Sequence, residues 1–208
     1  MTPVPTIEGQ RQIAGTSPAW VATRDELPTL LNARGLLGVA VEVGVKQGQY
    51  SEHLLTHWQG RHLISVDPWF EDAVDAYVDI ANVPQAQHEA FLAETRSRLA
   101  PFGARSSIWR MTSADGAARI DDASLDFVYI DARHDFDSVM EDCGLWLPKM
   151  RPGGVLAGHD YVDGDFLAGK FGVKSAVNQF FAERGIPVHH TVFDRPWLSW
   201  LTVIPTPR

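Results

Sequence analysis

Short apolar runs alternate with amphipathic stretches along most of this chain. Leu36–Val43 (LLGVAVEV), His62–Val66, Arg105–Arg110, Leu125–Ile130 and Val155–Ala157 are too short for helices, and they are the predicted strands. Between them the periodicity predicts helices over Gln49–Trp58, Phe136–Leu147 and Val173–Arg184. A further helical region over Glu71–Leu99 is punctuated by Pro84. This alternation makes a parallel sheet with right-handed crossovers. The rhythm breaks near the C-terminus, where the strand-like runs Val188–Phe193 and Trp197–Ile204 are separated only by Asp194-Arg195-Pro196. Three residues cannot hold a helical crossover, so these runs form an antiparallel hairpin. At the other end, Pro18–Leu31 is predicted to be an edge helix. Residues 1–35 thus form an arm and edge helix ahead of one α/β domain over 36–208.

At 208 residues and 45% hydrophobic content the chain can bury a core without covalent staples. Its one cysteine, Cys143, excludes an internal disulfide, and the neighbours Glu141, Asp142 and Gly144 make it a packing residue. The formal net charge of −8 argues against nucleic acid or an anionic membrane as partner. No apolar run is long enough for a bilayer and no basic leader precedes an apolar core, so a cytoplasmic protein is expected. Trp20, on an apolar part of the arm, is a candidate contact for a homodimer.

Candidate chemistry begins at the turn Glu42-Val43-Gly44-Val45-Lys46-Gln47-Gly48. Glycines let the backbone turn sharply and let a ligand approach closely. The spacing Gly44-x-x-x-Gly48 differs from that of dinucleotide sites. The preceding Glu42 would repel a pyrophosphate, yet it suits a ligand bearing an ammonium and a sulfonium. Asp67, 23 residues after Gly44, ends the second strand, where a carboxylate can accept from both ribose hydroxyls. After the third strand, Ser113 and Ala114 are small enough to receive an adenine edge, with Trp109 or Met111 at its face; Ser113 equally suits a helix N-cap. Tyr50 and Ser51, opening the helix after the turn, and Asp131, at the end of the fourth strand, complete the expected cofactor set.

A second group lies at the carboxyl ends of the fourth and fifth strands, which are neighbours at the crevice of a doubly wound sheet. Asp131 and Asp160 can converge there with His159 to hold a divalent metal, although 29 residues separate the two carboxylates. His159 can instead turn away to act as base or touch the acceptor. His134, three residues after Asp131, has an unperturbed pKa near neutrality and is the candidate general base, with Asp131 as the other catalytic residue. Asp135 reads as the N-cap of the next helix. The glycine- and phenylalanine-bearing segment 161–172 suits a lid over an acceptor. Tyr161, Phe166, Lys170, Trp69 and Trp197 are candidate acceptor contacts.

These residues carry a family resemblance. AVEVGVKQGQYSEHLL (Ala40–Leu55) and ISVDPW (Ile64–Trp69) resemble the cofactor half of class I S-adenosylmethionine-dependent methyltransferases. The stretch LDFVYIDARHDFDSVMEDCGLWLPKMRPGGVLAGHDY (Leu125–Tyr161) resembles the metal-dependent sugar O-methyltransferases, and looks closest to mycobacterial enzymes that act on the sugar precursors of polymethylated polysaccharides. The resemblance implies a Rossmann-like α/β fold with strand order 3-2-1-4-5-7-6 and an antiparallel C-terminal pair. It implies S-adenosylmethionine as cofactor, a divalent metal and a small hydroxylated acceptor, a sugar. The resemblance implies magnesium; family enzymes place acidic or amide ligands where His159 stands here, and a nitrogen ligand tilts the preference toward manganese or a later metal. The residues alone leave open a phenolic or macrolide acceptor, a nicotinamide-dependent oxidoreductase and a non-catalytic nucleoside-binding module. Glu42 in the turn and the antiparallel C-terminus count against the oxidoreductase.

Overall fold

In the computed structural model, which describes residues 21–72 and 79–206, the fourth apolar run is the middle of the molecule. Strand β4 (Leu125–Ile130) is buried at every position, as a central strand covered on both faces must be. Val128 and Ile130 point into one apolar cluster with Val41, Val43, Ile64 and Val66. Phe127 and Tyr129 point into the other with Ala40, Leu54, Leu63 and Val155. Asp126 is the buried exception. It accepts from the Gly38 amide and pairs with Arg151, which supplies the partners a buried carboxylate requires.

The remaining strands are β1 (Val39–Val43), β2 (His62–Asp67), β3 (Ser106–Arg110), β5 (Met150–Gly158), β6 (Asp163–Phe166), β7 (Gly169–Gly172), β8 (His189–His190) and β9 (Trp200–Val203). The main sheet has the order β3-β2-β1-β4-β5-β9-β8, with only the β9 and β8 pairings antiparallel. This is the expected seven-stranded order, with the short β6–β7 hairpin inserted before the last pair. Helices α1 (Leu27–Ala33), α2 (Gln49–His57), α3 (Gln85–Leu99), α4 (Ser113–Ala117), α5 (Phe136–Trp146) and α6 (Val173–Ala182) provide the crossovers and cover. The Asp135 carboxylate caps α5 by accepting from the Ser138 amide at 3.0 Å. Cys143 is fully buried within α5, a packing residue as expected. No helix among the described residues is long and apolar enough to cross a membrane.

Several expectations change. The helix over Pro18–Leu31 is replaced by a 3-10 turn at Arg24–Glu26 and α1, starting where Pro28 can occupy the first turn; residues 18–20, and Trp20 with them, lie outside the described residues. Within Glu71–Leu99 the helix begins only at Gln85, after Pro84, and residues 73–78 also lie outside the description. Strand β5 runs from Met150, well ahead of Val155, because a register shift opposite Leu125–Phe127 absorbs the Pro152-Gly153-Gly154 turn signal. The C-terminal strands are shorter than their apolar runs. Thr191, Asp194 and Ser199 bond to one another and to the backbone between them, and this polar loop replaces a continued ladder.

Gly44 shows how tightly the central strands meet. Its φ is +83°, and a Cβ there would lie 1.9 Å from the Asp131 carbonyl oxygen. Gly44→Ala should therefore destabilise the fold by at least about 2 kcal/mol, read as a lower midpoint in chemical denaturation. A midpoint equal to that of the parent would contradict this close approach.

Candidate active site

The turn after β1 is held by Asp67. One carboxylate oxygen accepts from the Val45 and Lys46 amides at 2.8 and 2.9 Å, and the other from the Trp69 amide at 2.7 Å. An ionised carboxylate offers about four acceptor positions, so roughly one remains for a hydroxyl where the sequence suggested two. Gly48, at φ +75°, caps α2. Glu42 lies buried beneath the turn, where it accepts from the Ser51 hydroxyl; Ser51 in turn meets Ser65 at 2.7 Å. Burial pushes the Glu42 carboxyl up to about 8, against the lowering effect of Ser51. Tyr50 is buried as well, and its hydroxyl donates to the Arg24 carbonyl at 3.0 Å.

At the ends of β4 and β5, four side chains converge. His134 bonds through Nδ1 to Asp79 at 2.8 Å and through Nε2 to Asp160 at 2.9 Å, with Asp131 at 4.0 Å. His159 Nδ1 lies 3.0 Å from the other Asp160 oxygen and 3.9 Å from Asp131. Burial favours neutral histidines, yet the bonds to Asp160 and Asp79 outweigh it and push His134 up to about 10; His159 is raised for the same kind of reason. Burial also works against the Asp160 anion, but the His134 and His159 bonds hold its carboxyl well below the usual range. Asp131 moves up through desolvation and the neighbouring Asp160. Asp160 itself sits at φ +51°, a backbone geometry that Asp tolerates better than most residues.

Asp131, His134 and Asp160 each offer one atom within a group spanning no more than 4.8 Å, a donor set suited to a divalent cation. The sequence had placed His159 in that set and His134 outside it. The helix-entrance position of His134 brings its ring back over the strand ends, which residue spacing alone does not show. Asp79 and Arg24 were missed. Asp79 bridges to Gly169 of the β6–β7 hairpin, and Arg24 Nη1 lies 3.6 Å from Asp131. Neither carries a local motif; only long-range pairing brings them in.

Other expected contacts are redirected. Trp69 is fully buried under the turn with Val45 and Leu92, and its indole donates to the Lys46 carbonyl at 2.7 Å, so it is a core residue and not an acceptor contact. Ser113 is not the N-cap of α4. Thr112 caps it by accepting from the Asp115 amide at 3.1 Å, while the Ser113 hydroxyl donates to Asp142 and accepts from Trp146 at 2.9 Å. Ala114 is exposed on the same helix, and Trp109 and Met111 pack on the core beside it. The Tyr161 hydroxyl donates to Asn178 at 2.7 Å and its ring stacks on His190. Lys170 is exposed on β7 opposite Asp165. Segment 161–172, the expected lid, contains the β6–β7 hairpin; its Phe171 stacks on His134 at 4.5 Å, and Phe166 packs against Trp197 at 4.7 Å.

A family model described as a methyltransferase domain matches residues 41–161, more than half of the chain. The chain belongs to this methyltransferase-domain family. The matched span takes in the glycine turn, Asp67 and the whole Asp131–Asp160 cluster of the methyltransferase. No curated protein matches its sequence significantly. Among solved structures it is similar to the O-methyltransferase TomG from Streptomyces achromogenes, involved in tomaymycin synthesis and in complex with SAM (17% identity, 88% of this chain and 79% of that one, TM-score 0.60). It is also similar to an O-methyltransferase from Bacillus cereus in complex with SAH (16%, 89% and 84%, TM-score 0.59) and a methyltransferase from Geobacter sulfurreducens (14%, 88% and 78%, TM-score 0.56). At these identities the likeness establishes the shared fold.

Glu42 has a consequence for stability. Its carboxyl ionises near 4.5 when unfolded and near 8 when folded. Between those values the folded state holds the extra proton, so this group's contribution to stability falls as pH rises, by up to about 1.4 kcal/mol per pH unit. Glu42→Gln should flatten the pH dependence of the unfolding midpoint between pH 5 and 8. An unchanged slope would place the Glu42 carboxyl outside this linkage.

Proposed function

We propose that the methyltransferase moves a methyl group from S-adenosylmethionine to a hydroxyl of a saccharide or similar small molecule, with a divalent cation held by Asp131, Asp160 and His134. The observation that carries this reading is the meeting of those three side chains beside the glycine turn of a methyltransferase domain. The complexes of TomG with SAM and of the Bacillus cereus enzyme with SAH support the choice of cofactor. Two carboxylates and one imidazole are compatible with magnesium, and the nitrogen donor favours manganese.

An alcohol is a weak nucleophile at neutral pH, and a bound cation lowers its effective pKa. The chain's own work is alignment and proton removal. His159 is the better placed base, because a cation held by Asp131 and Asp160 would offset the carboxylates that raise it and would free its imidazole to accept a proton. Asp160 holds its Nδ1, and its Nε2 makes no hydrogen bond among the described residues. His134 has both nitrogens engaged by carboxylates and belongs with the ligands. Phe166 and Trp197 pack on each other beside the buried Phe171, which stacks on His134, and their open faces suit the apolar face of a sugar ring. The β6–β7 hairpin carries two of these rings and would cover the acceptor.

EDTA should abolish transfer, and Mn²⁺ or Mg²⁺ should restore it; full turnover in chelator would remove the cation from the reaction. His159→Ala should lower kcat by about 100-fold or more, whereas His134→Ala should mainly weaken cation affinity measured by calorimetry. The reverse pattern would return the base to His134. Trp197→Ala should raise the acceptor KM with a smaller change in kcat, and an unaltered KM would take these open faces out of acceptor binding.

A further inference from the structure

Arg24 stands in a position that local sequence does not announce. Its amide donates to both oxygens of the buried Asp194 carboxylate, at 2.9 and 3.2 Å, and the Thr191 hydroxyl holds that carboxylate at 2.7 Å. Two residues earlier, the Ala22 carbonyl accepts from the Val192 and Phe193 amides at 3.1 and 3.0 Å. The Tyr50 hydroxyl fixes the Arg24 carbonyl from the head of α2. The backbone of residues 22–24 is thus tied to the loop between β8 and β9 and to the helix that follows the glycine turn.

From this anchored position the guanidinium extends over the Tyr50 ring, 5.1 Å from its centroid, to reach Asp131 at 3.6 Å. That pair is long for a charge-assisted bond and is not bidentate. A guanidinium carries five donors in a planar fork; besides the loose pair with Asp131 it bonds to the Tyr129 hydroxyl, and donors remain for a further partner. The surrounding groups are mostly acidic: Glu42 beneath the turn, then Asp131 and Asp160 at the strand ends. A ligand that brings a carboxylate into this place needs a cation to meet it. Arg24 is held where it can supply one, with two-thirds of its side chain covered.

We propose that Arg24 binds the carboxylate at the amino-acid end of the cofactor, and that Asp131 occupies that partner's place in the ligand-free protein. This rests on the S-adenosylmethionine reading given above. Arg24 then acts as a specificity residue for an amino-acid-bearing nucleoside, distinguishing it from nucleosides that lack the carboxylate. The ammonium of the same ligand is left to the acidic side of the cleft.

Calorimetry with two probes tests the assignment. One is S-adenosylhomocysteine; the other is its decarboxylated form, S-adenosyl-3-thiopropylamine, which keeps the nucleoside, thioether and ammonium. Arg24→Gln should weaken S-adenosylhomocysteine by about 10- to 100-fold, and the decarboxylated probe by no more than about 2-fold. Arg24→Lys should fall between, since an ammonium keeps the charge and loses the fork. Thermal unfolding of both variants checks that the backbone anchors survive. Equal weakening of both probes, or of neither, would overturn the assignment. A parent protein that bound neither probe would overturn the cofactor reading and this assignment with it, a result distinct from binding that ignores residue 24.

Discussion

The site depends on one close approach, that of Gly44 to the Asp131 carbonyl. Strands β1 and β4 are paired at the centre of the sheet, and the Asp131 amide continues their ladder by donating to the Val43 carbonyl at 2.7 Å. Both chains must leave the sheet at this point and turn in different directions. Space for only a hydrogen at position 44 lets the two exits touch. The turn and the Asp131 carboxylate therefore share one cleft, and any ligand lying on the turn meets the carboxylate.

Around that contact the protein gathers more charge than a dry interior tolerates singly. Asp79, Asp131 and Asp160 face His134, His159 and Arg24, and each charge is made tolerable by an opposite one within hydrogen-bonding or ion-pairing distance. Removing one member leaves its partner exposed to the full desolvation cost. The arrangement therefore behaves as a unit, and effects of single substitutions within it will not add. The hairpin of β6 and β7 belongs to the same unit. Its Gly169 bridges to Asp79, its Gly172 amide donates to the His134 carbonyl at 2.8 Å, and its Phe171 stacks on the His134 ring.

A second set of contacts ties distant parts of the chain to the cleft. Buried Asp194 collects the Arg24 amide and the Thr191 hydroxyl, so the loop between the last two strands and the segment before α1 are fixed together. This explains why the apolar runs at the C-terminus do not continue as strands through residues 191–199. Their polar members are used to organise the loop, and the loop in turn positions the N-terminal segment.

Much of the architecture was legible because it rests on local patterns. Short apolar runs marked the strands, and the short Asp194–Pro196 connection required an antiparallel end. Asp135 announced a cap, and Asp131 and Asp160 at strand ends announced a shared crevice. The sequence by itself thus determined the sheet, its reversal at the C-terminus and the neighbourhood of the two carboxylates. Only the tertiary structure decided which side chains complete that neighbourhood. It brought Arg24 and Asp79 across long separations, put His134 among the candidate ligands, and sent Trp69 into the core and the Ser113 hydroxyl to Asp142. The physical reason is that element identity follows from backbone preferences and burial along a few residues. The direction of a side chain at the end of an element depends instead on partners that only the folded chain supplies.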